Sequence, residues 1–218
     1  MEPTSANCTS GTSFRTSRNA SITPIGSFQG SKRETWQISG RSTSIPNCLQ
    51  TKDAFRLVRE KLPEVQLALV GSMATDDPEG WAFFHETFSY ADGDPDIKIL
   101  NNLNNVGAIE VNAFQSQADV VMQKSLREGF GLTVTEALWK GRATVAGKVG
   151  GIPLQIVDGE TGFLISSADE AAERALRILR DPALAKRLGR AGKERARELF
   201  LTPRLLRDWL RLFGELEL

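Results

Sequence analysis

Cysteine is nearly absent from this chain: two occur in 218 residues, Cys8 and Cys48, both in a polar N-terminal stretch and without the spacing of a metal site. A disulfide framework is therefore not expected. Histidine is scarcer still. The one residue, His85, falls on a stretch with helical apolar spacing and has no visible partner, so histidine-based acid–base chemistry and His-rich metal sites drop out. Charge of one sign is also missing, since 27 basic residues balance 27 acidic ones. Attraction to nucleic acid or to an anionic membrane by bulk electrostatics has no basis here. No apolar run approaches the roughly 20 residues that span a bilayer. What remains is the expectation of a soluble, cytoplasmic protein, and 40% hydrophobic residues in a chain of this length suffice for one medium-sized core.

Two nucleotide-binding signatures are missing as well. There is no Gly-x4-Gly-Lys-Ser/Thr loop of the kind that serves ATP hydrolysis, and no Gly-x-Gly-x2-Gly opening the first unit for a nicotinamide cofactor.

Residues 1–50 are unlike the rest. About a third are Ser or Thr, the only acids are Glu2 and Glu34, and no apolar period is sustained, which is the composition of a low-complexity, disordered or irregular tail. The Arg- and Ser-rich run Phe14 to Arg18 lacks the amphipathic helix that an organelle transit peptide needs. From residue 51 to 218 the order is regular. Ala54, Phe55, Val58 and Leu62 fall at helical spacing, Val65 to Val70 reads as a buried strand, and Asp77-Pro78 opens a helix with Trp81, Phe84 and Phe88 on one face. A strand at Ile97 to Leu100, a helix at Val106 to Gln115 and a strand at Ala118 to Met122 follow. Further strands are expected at Ala143 to Ala146 and Phe163 to Ile165, then three helices, one with the stripe Ala171, Ala175, Ile178 and Leu179 and two started by Pro182 and Pro203. Alternation of this kind predicts an α/β domain, a Rossmann-like parallel sheet flanked by helices.

The chemistry concentrates between Lys124 and Gly141. A strand runs into a tight turn with Gly129 and Gly131, and Leu132 opens a helix that Gly141 stops. Such a turn leaves backbone N–H groups unpaired beside a helix N-terminus, where the natural occupant is a phosphate. Glu128 just before the glycines and Glu136 about two turns on would be repelled by phosphate, so their task is to accept hydrogen bonds from hydroxyls. Together these features point to a nucleotide sugar: phosphates on the amides, a hexose near Glu128, and ribose near Glu136, as acidic residues hold ribose in dinucleotide-binding folds. Gly150-Gly-Ile-Pro153 is a second strand-to-helix turn whose amides could face the same pocket, with Lys148 in reach of a phosphate.

The pair Glu128 and Glu136, seven residues between them and Gly129-Phe-Gly-Leu132 inside, resembles the signature of the family 4 retaining glycosyltransferases, whose GT-B fold sets two Rossmann-like domains across a cleft. Val111-Asn-Ala-Phe-Gln115, Gln123-Lys-Ser125, Glu136-Ala-Leu-Trp-Lys140 and Gly150-Gly-Ile-Pro-Leu-Gln155 are similar to the trehalose synthase branch, which transfers glucose from a nucleoside diphosphate to free glucose. The resemblance runs from about Lys52 to the C-terminus and implies a C-terminal, donor-binding half of a GT-B enzyme. It implies Glu128 as the catalytic residue and Ser125, Gly129, Phe130, Gly131, Leu132, Thr133, Glu136, Gly150 and Gly151 as donor-binding. Asn101 and Leu103, at a strand end, would line the nucleobase. Nucleoside diphosphate glucose and a sugar acceptor are the implied partners, with no metal or other cofactor.

One patch departs from the family. Its members carry a Ser-Arg-Phe-Asp-Pro-x-Lys loop after the first strand, whose Arg and Lys meet the diphosphate, whereas this chain has Gln37-Ile-Ser39, then Gly40 to Cys48, then Leu49-Gln50. A local change of reading frame would produce that pattern. Arg41 is the nearby candidate for the clamp, and Lys52 a poor one because it belongs to the next helix. The implied N-terminal acceptor domain is also absent, so little transfer by this chain alone is expected. A split enzyme and a non-catalytic nucleotide-sugar-binding module are the alternatives. The last family helix crosses to the other domain, which predicts a bare apolar face here. Asp92, Asp94 and Asp96 lack the later glycine and glutamate of a calcium loop and read as a surface turn, and the C-terminal arginines, interspersed with acids, read as a solvated face.

Overall fold

A computed structural model describes residues 35–39, 47–71, 78–125 and 128–216. All lie in the second of two units, Arg33–Leu218; the first is Met1–Lys32. The tail with Cys8, the transit-like run, Arg41 and most of the departing patch fall outside the described residues.

Six strands, β1 (Thr35–Ser39), β2 (Gln66–Val70), β3 (Ile97–Leu100), β4 (Val120–Gln123), β5 (Ala143–Gly147) and β6 (Phe163–Ile165), form one sheet in the order β3-β2-β1-β4-β5-β6. Every pairing is parallel. The helices between and after them are α1 (Asn47–Arg59), α2 (Pro78–Ala91), α3 (Ala108–Gln117), α4 (Leu132–Trp139), the short α5 (Ile152–Gln155), α6 (Ala168–Arg180), α7 (Pro182–Leu199) and α8 (Thr202–Glu215). The chain starts at the centre, winds out to β3, and returns to the other side of β1 at β4. That reversal between β1 and β4 is the switch point at whose carboxyl edge open α/β sheets generally take their ligands.

The sheet takes in residues ahead of the boundary at 51, since β1 ends at Ser39 and α1 begins at Asn47. Composition alone hides them: Thr-Trp-Gln-Ile-Ser is too short to show an apolar period, and the first turn of α1, Asn-Cys-Leu-Gln, mixes polar and apolar residues without one. In the later strands alternate residues serve opposite faces. Val120, Met122 and Val145 join Phe55 and Val58 of α1 and Ala175, Ile178 and Leu179 of α6, while Ala146 meets Val134 and Leu138 of α4. Both faces are thereby covered, as a parallel sheet requires. Each of the large side chains fully buried in this way contributes about 1.5–3 kcal/mol.

Local signals set the helix ends. Ser167 caps α6 by accepting from the Glu170 N–H at 3.1 Å, and Asp181 caps α7 by accepting from the Leu184 N–H at 2.9 Å, with Pro182 in the first turn. Gly141, at φ 70°, turns the chain out of α4. On α2, Trp81, Phe84 and Phe88 do share a face, with ring centroids 6.1 and 6.2 Å apart along the row, but Phe88 stays 64% exposed. The inward face is made by Thr87 and by Tyr90, whose hydroxyl donates to the Lys52 carbonyl at 2.9 Å. His85 sits exposed in that aromatic row.

The aspartate turn is tied by ordinary bonds. Asp94 accepts from Arg59, and Asp96 accepts from Gln66 Nε2 at 3.1 Å. Burial alone would raise the Asp94 pKa, yet the bonds from Arg59 and from the Asp96 amide outweigh it and hold the carboxyl below its ordinary value. That stabilisation is complete above the ordinary carboxylate range and lost as pH falls through the depressed value. Asp94→Asn is therefore expected to cost about 1 kcal/mol or less near pH 7, given the partial exposure of the pair, and progressively less as the pH is lowered through the depressed value; urea denaturation across an acid pH series checks it.

Helix α7 lies against the corner between α4 and β5 through two glycines. A methyl group on Gly189 would sit 2.0 Å from the Gly141 carbonyl oxygen, and one on Gly192 would sit 2.6 Å from a Leu138 methyl. Because the first obstacle is backbone, Gly189→Ala should destabilise by about 1–3 kcal/mol, read as a lowered urea midpoint at unchanged slope.

Candidate functional site

Three loops leave the carboxyl edge of the sheet: 124–131 after β4, at the reversal point, 148–151 after β5 beside it, and 101–105 after the edge strand β3. The first carries the glutamate and the glycine bend. Gly131 adopts φ 87° and ψ 63°, a left-handed conformation, and starts α4 with no side-chain cap. Its N–H donates to Glu128 Oε1 at 3.1 Å. On the other oxygen, Oε2, Ser125 Oγ and Gln123 Nε2 each donate at 3.4 Å, and Gln123 Nε2 also reaches Ser125 Oγ at 2.8 Å. The half-buried carboxylate is thus fixed on both oxygens and keeps lone pairs for a hydroxyl. One amide expected to serve an anion is consequently taken by Glu128. The next two, of Leu132 and Thr133, head α4 without a side-chain cap, at the positive end of its dipole.

The second loop closes on the first backbone to backbone. The Gly151 N–H donates to the Gly129 carbonyl at 2.9 Å. A methyl on Gly150, at φ 53°, would lie 1.6 Å from the Glu128 carbonyl oxygen, and one on Gly151 would lie 2.5 Å from that of Gly129. The sequence-predicted residues Ser125, Glu128, Gly129, Phe130, Gly131, Gly150 and Gly151 are therefore one contiguous unit. Phe130 reaches outward from it, its ring edge-on to Phe200 at 5.6 Å. Thr133 is half-buried, Leu132 is exposed, and Lys148 is an exposed side chain whose N–H pairs with the Ile165 carbonyl at 2.9 Å. Lys124, by contrast, donates to the Ser166 carbonyl at 3.3 Å; burial lowers its pKa and Glu170 opposes the shift.

Glu136 is exposed on α4 and held separately, accepting from Gln115 Nε2 of α3 at 3.1 Å. Lys140 donates to the other end of the same amide, Gln115 Oε1, at 2.6 Å. Burial pushes the Lys140 ammonium below its ordinary pKa and the charge of Glu136 pulls it back. Asn101 is 4% exposed and spends its side chain on the loop: Oδ1 accepts from Leu103 N at 2.9 Å and Asn104 N at 3.3 Å, while Asn104 Oδ1 accepts from Asn101 N at 2.7 Å. Asn101 therefore shapes this segment and Leu103 is what it presents, 53% exposed. Lys52 is 1% exposed within α1, its Nζ 3.8 Å from Glu86 Oε1 and 5.2 Å from the Tyr90 ring, so it is committed to α2. No group of three His, Cys, Asp or Glu side chains suited to a metal occurs among the described residues.

The profile of the family described as glycosyl transferases group 1 matches residues 38–195. The chain belongs to this family. Its relatives within the glycosyl transferases group 1 include the trehalose synthase of Rubrobacter xylanophilus, 62% identical over 164 residues, which cover 75% of this chain and 39% of that protein. The chain thus spans about two fifths of the length of the trehalose synthases it matches. Solved structures that share its fold include the following two. The C-terminal domain of a glycosyl transferase group 1 family protein (LpcC) from Francisella tularensis superposes with a TM-score of 0.65 at 22% identity, covering 78% of this chain and 87% of that one. Sucrose-phosphate synthase (tll1590) from Thermosynechococcus elongatus does so with a TM-score of 0.71 at 25% identity, covering 87% and 47%. The sheet is that of a GT-B glycosyltransferase, as the motif implied.

Three buried glutamines that spacing does not mark as site residues support the site: Gln115, Gln123 and Gln155, at 1%, 5% and 0% exposure. The available signal is an amide at the end of an apolar run, as in Val120-Val-Met-Gln123. Because Gly150 fails on both space and φ, Gly150→Ala should lose more than about 2 kcal/mol in urea denaturation. Gly159→Ala, at φ 77° with nothing within 4 Å, should lose only the left-handed term of about 1–2 kcal/mol.

Proposed function

We propose that this domain binds a nucleoside diphosphate glucose and supplies the donor half of a retaining glucosyltransferase of the trehalose synthase type. The observation that carries the reading is Glu128, pinned on both carboxylate oxygens at the mouth of a bend whose following amides head α4. The identity to trehalose synthases supports the choice of glucose and of a sugar acceptor.

In this reading the distal phosphate takes the Leu132 and Thr133 amides, and the hexose hydroxyls take the remaining lone pairs of Glu128. The ribose hydroxyls take Glu136, and the base lies along Leu103. Transfer breaks the bond from the anomeric carbon to the diphosphate oxygen and forms one to the acceptor hydroxyl on the same face, whose proton passes to the leaving phosphate. Positive charge on the sugar ring is met by Glu128 and negative charge on the diphosphate by main-chain dipoles, so the reading includes no metal. An Arg and a Lys from the loop after β1 would add to this in the family, and the residues of that loop here do not match. Little transfer by the chain alone is the expected outcome.

One observation favours a two-part enzyme over an isolated binding module. Helix α8 has no buried residue, and Leu205, Leu206, Trp209, Leu210 and Phe213 are 45–62% exposed. A face of that size rarely stays bare on a monomer.

Calorimetry with ADP, UDP and GDP and their glucose esters tests the proposal on the intact chain. Wild type should bind at least one ester, and Glu128→Ala should weaken the ester by about tenfold or more while leaving the parent diphosphate little changed. Glu136→Ala should abolish the preference for a ribonucleotide over its 2′,3′-dideoxy form. Absence of binding by wild type, or an ester affinity indifferent to Glu128, would sink the reading.

A further inference from the structure

We infer that Gln155 is the positioning residue of the bend: it prevents the Phe130–Gly131 peptide from flipping and so keeps the Gly131 N–H aimed at Glu128. The inference rests on the donor-binding reading for its consequence in ligand affinity, but not for its geometry.

Gln155 ends α5 with its side chain 0% exposed, so its amide must find every partner inside the protein. Nε2 donates to the Phe130 carbonyl, and Oε1 accepts from Thr135 Oγ1 at 2.7 Å. Its main-chain carbonyl accepts from Arg195 Nε of α7 at 2.9 Å, and the Leu154 carbonyl accepts from Arg195 Nη2 at 2.7 Å. One residue thus ties the bend, the first turns of α4 and the body of α7.

The Phe130 carbonyl and the Gly131 N–H are two ends of one planar peptide. The carbonyl end is gripped by Gln155 and the N–H end by Glu128 Oε1 at 3.1 Å. A plane held at both ends has one orientation. The held orientation is itself the one that needs glycine, since Gly131 sits at φ 87°, and a flip would take φ to the negative values open to any residue, so nothing in the backbone alone bars it. After a flip the carbonyl oxygen would face the Glu128 carboxylate, acceptor against acceptor, and the glutamate would swing off its site. The orienting partner has to be a donor toward Phe130 and an acceptor toward Thr135. A glutamine amide is both at once, and a protonated glutamate is as well.

That equivalence makes the test. Gln155→Leu should fold, as judged by a cooperative urea transition, yet speed amide hydrogen exchange at Gly131 about tenfold or more with no change in α6. Its affinity for a nucleoside diphosphate should fall about tenfold while that for the nucleoside monophosphate stays as in wild type, since the bend meets the distal phosphate. Gln155→Glu should show the same defect near neutral pH and lose it in mild acid, where the buried carboxyl is protonated and can donate to Phe130; wild type at each pH is the reference. Unchanged Gly131 exchange and diphosphate preference in Gln155→Leu would overturn the inference, as would a Gln155→Glu defect that does not move with pH. Should wild type bind no nucleotide, the donor reading falls, and exchange at Gly131 still decides what Gln155 does. If Gln155→Leu does not fold, the pH-dependent recovery of Gln155→Glu decides it.

Discussion

The site depends on a contact between two stretches of bare backbone. The bend after β4 and the turn after β5 approach so closely that the Gly151 N–H bonds to the Gly129 carbonyl at 2.9 Å and no side chain fits between. Only glycine at 150 and 151 permits this, and the paired glycines are thus explained by packing before any ligand is considered. Once the loops are joined, the remaining geometry follows. Ile152 lies beneath Gly131, Gln155 comes up against Phe130, and Glu128 is presented at the head of α4.

Around that contact the buried polar groups divide the work. Gln123 serves Glu128, Gln115 serves Glu136 and Gln155 serves the bend between them. Each has a neutral amide that donates to its neighbour without adding a buried charge, which would be costly to desolvate. Fixing polar side chains by a second row of hydrogen bonds costs conformational entropy once, on folding, and removes it from the binding step.

Most of the architecture was legible in the sequence. The β4, β5 and β6 strands, the stop at Gly141, the starts at Pro182 and Pro203 and the stripe on α6 all stand within a residue or two of where apolar period and cap residues put them. Those signals are local, and the structure obeys them. What local signals do not carry is partnership. Nothing in the spacing told that the Gly131 amide is claimed by Glu128, that Asn101 turns inward to bind its own loop, or that Thr87 rather than Phe88 is the buried one. Each is decided by which element arrives opposite, and that information is non-local. The central strand was legible only through the family resemblance, which put Gln37-Ile-Ser39 at its place: five residues flanked by serine-rich sequence have no period to read, and pairing with β2 and β4 is what defines them.

That central strand has a kinetic corollary. β1 is the seam between the two halves of the sheet, β2 and β3 on one side and β4, β5 and β6 on the other. Its register with β2 is set within the first third of the chain, but Trp36 must also find Val120, about 84 residues further on. Closing a loop of that length is an entropic toll levied before the pairing returns anything. The ordering of the half that carries β4, β5 and β6 therefore waits on a long-range encounter, and refolding should be limited by that zippering rather than by the quick coiling of α6, α7 and α8.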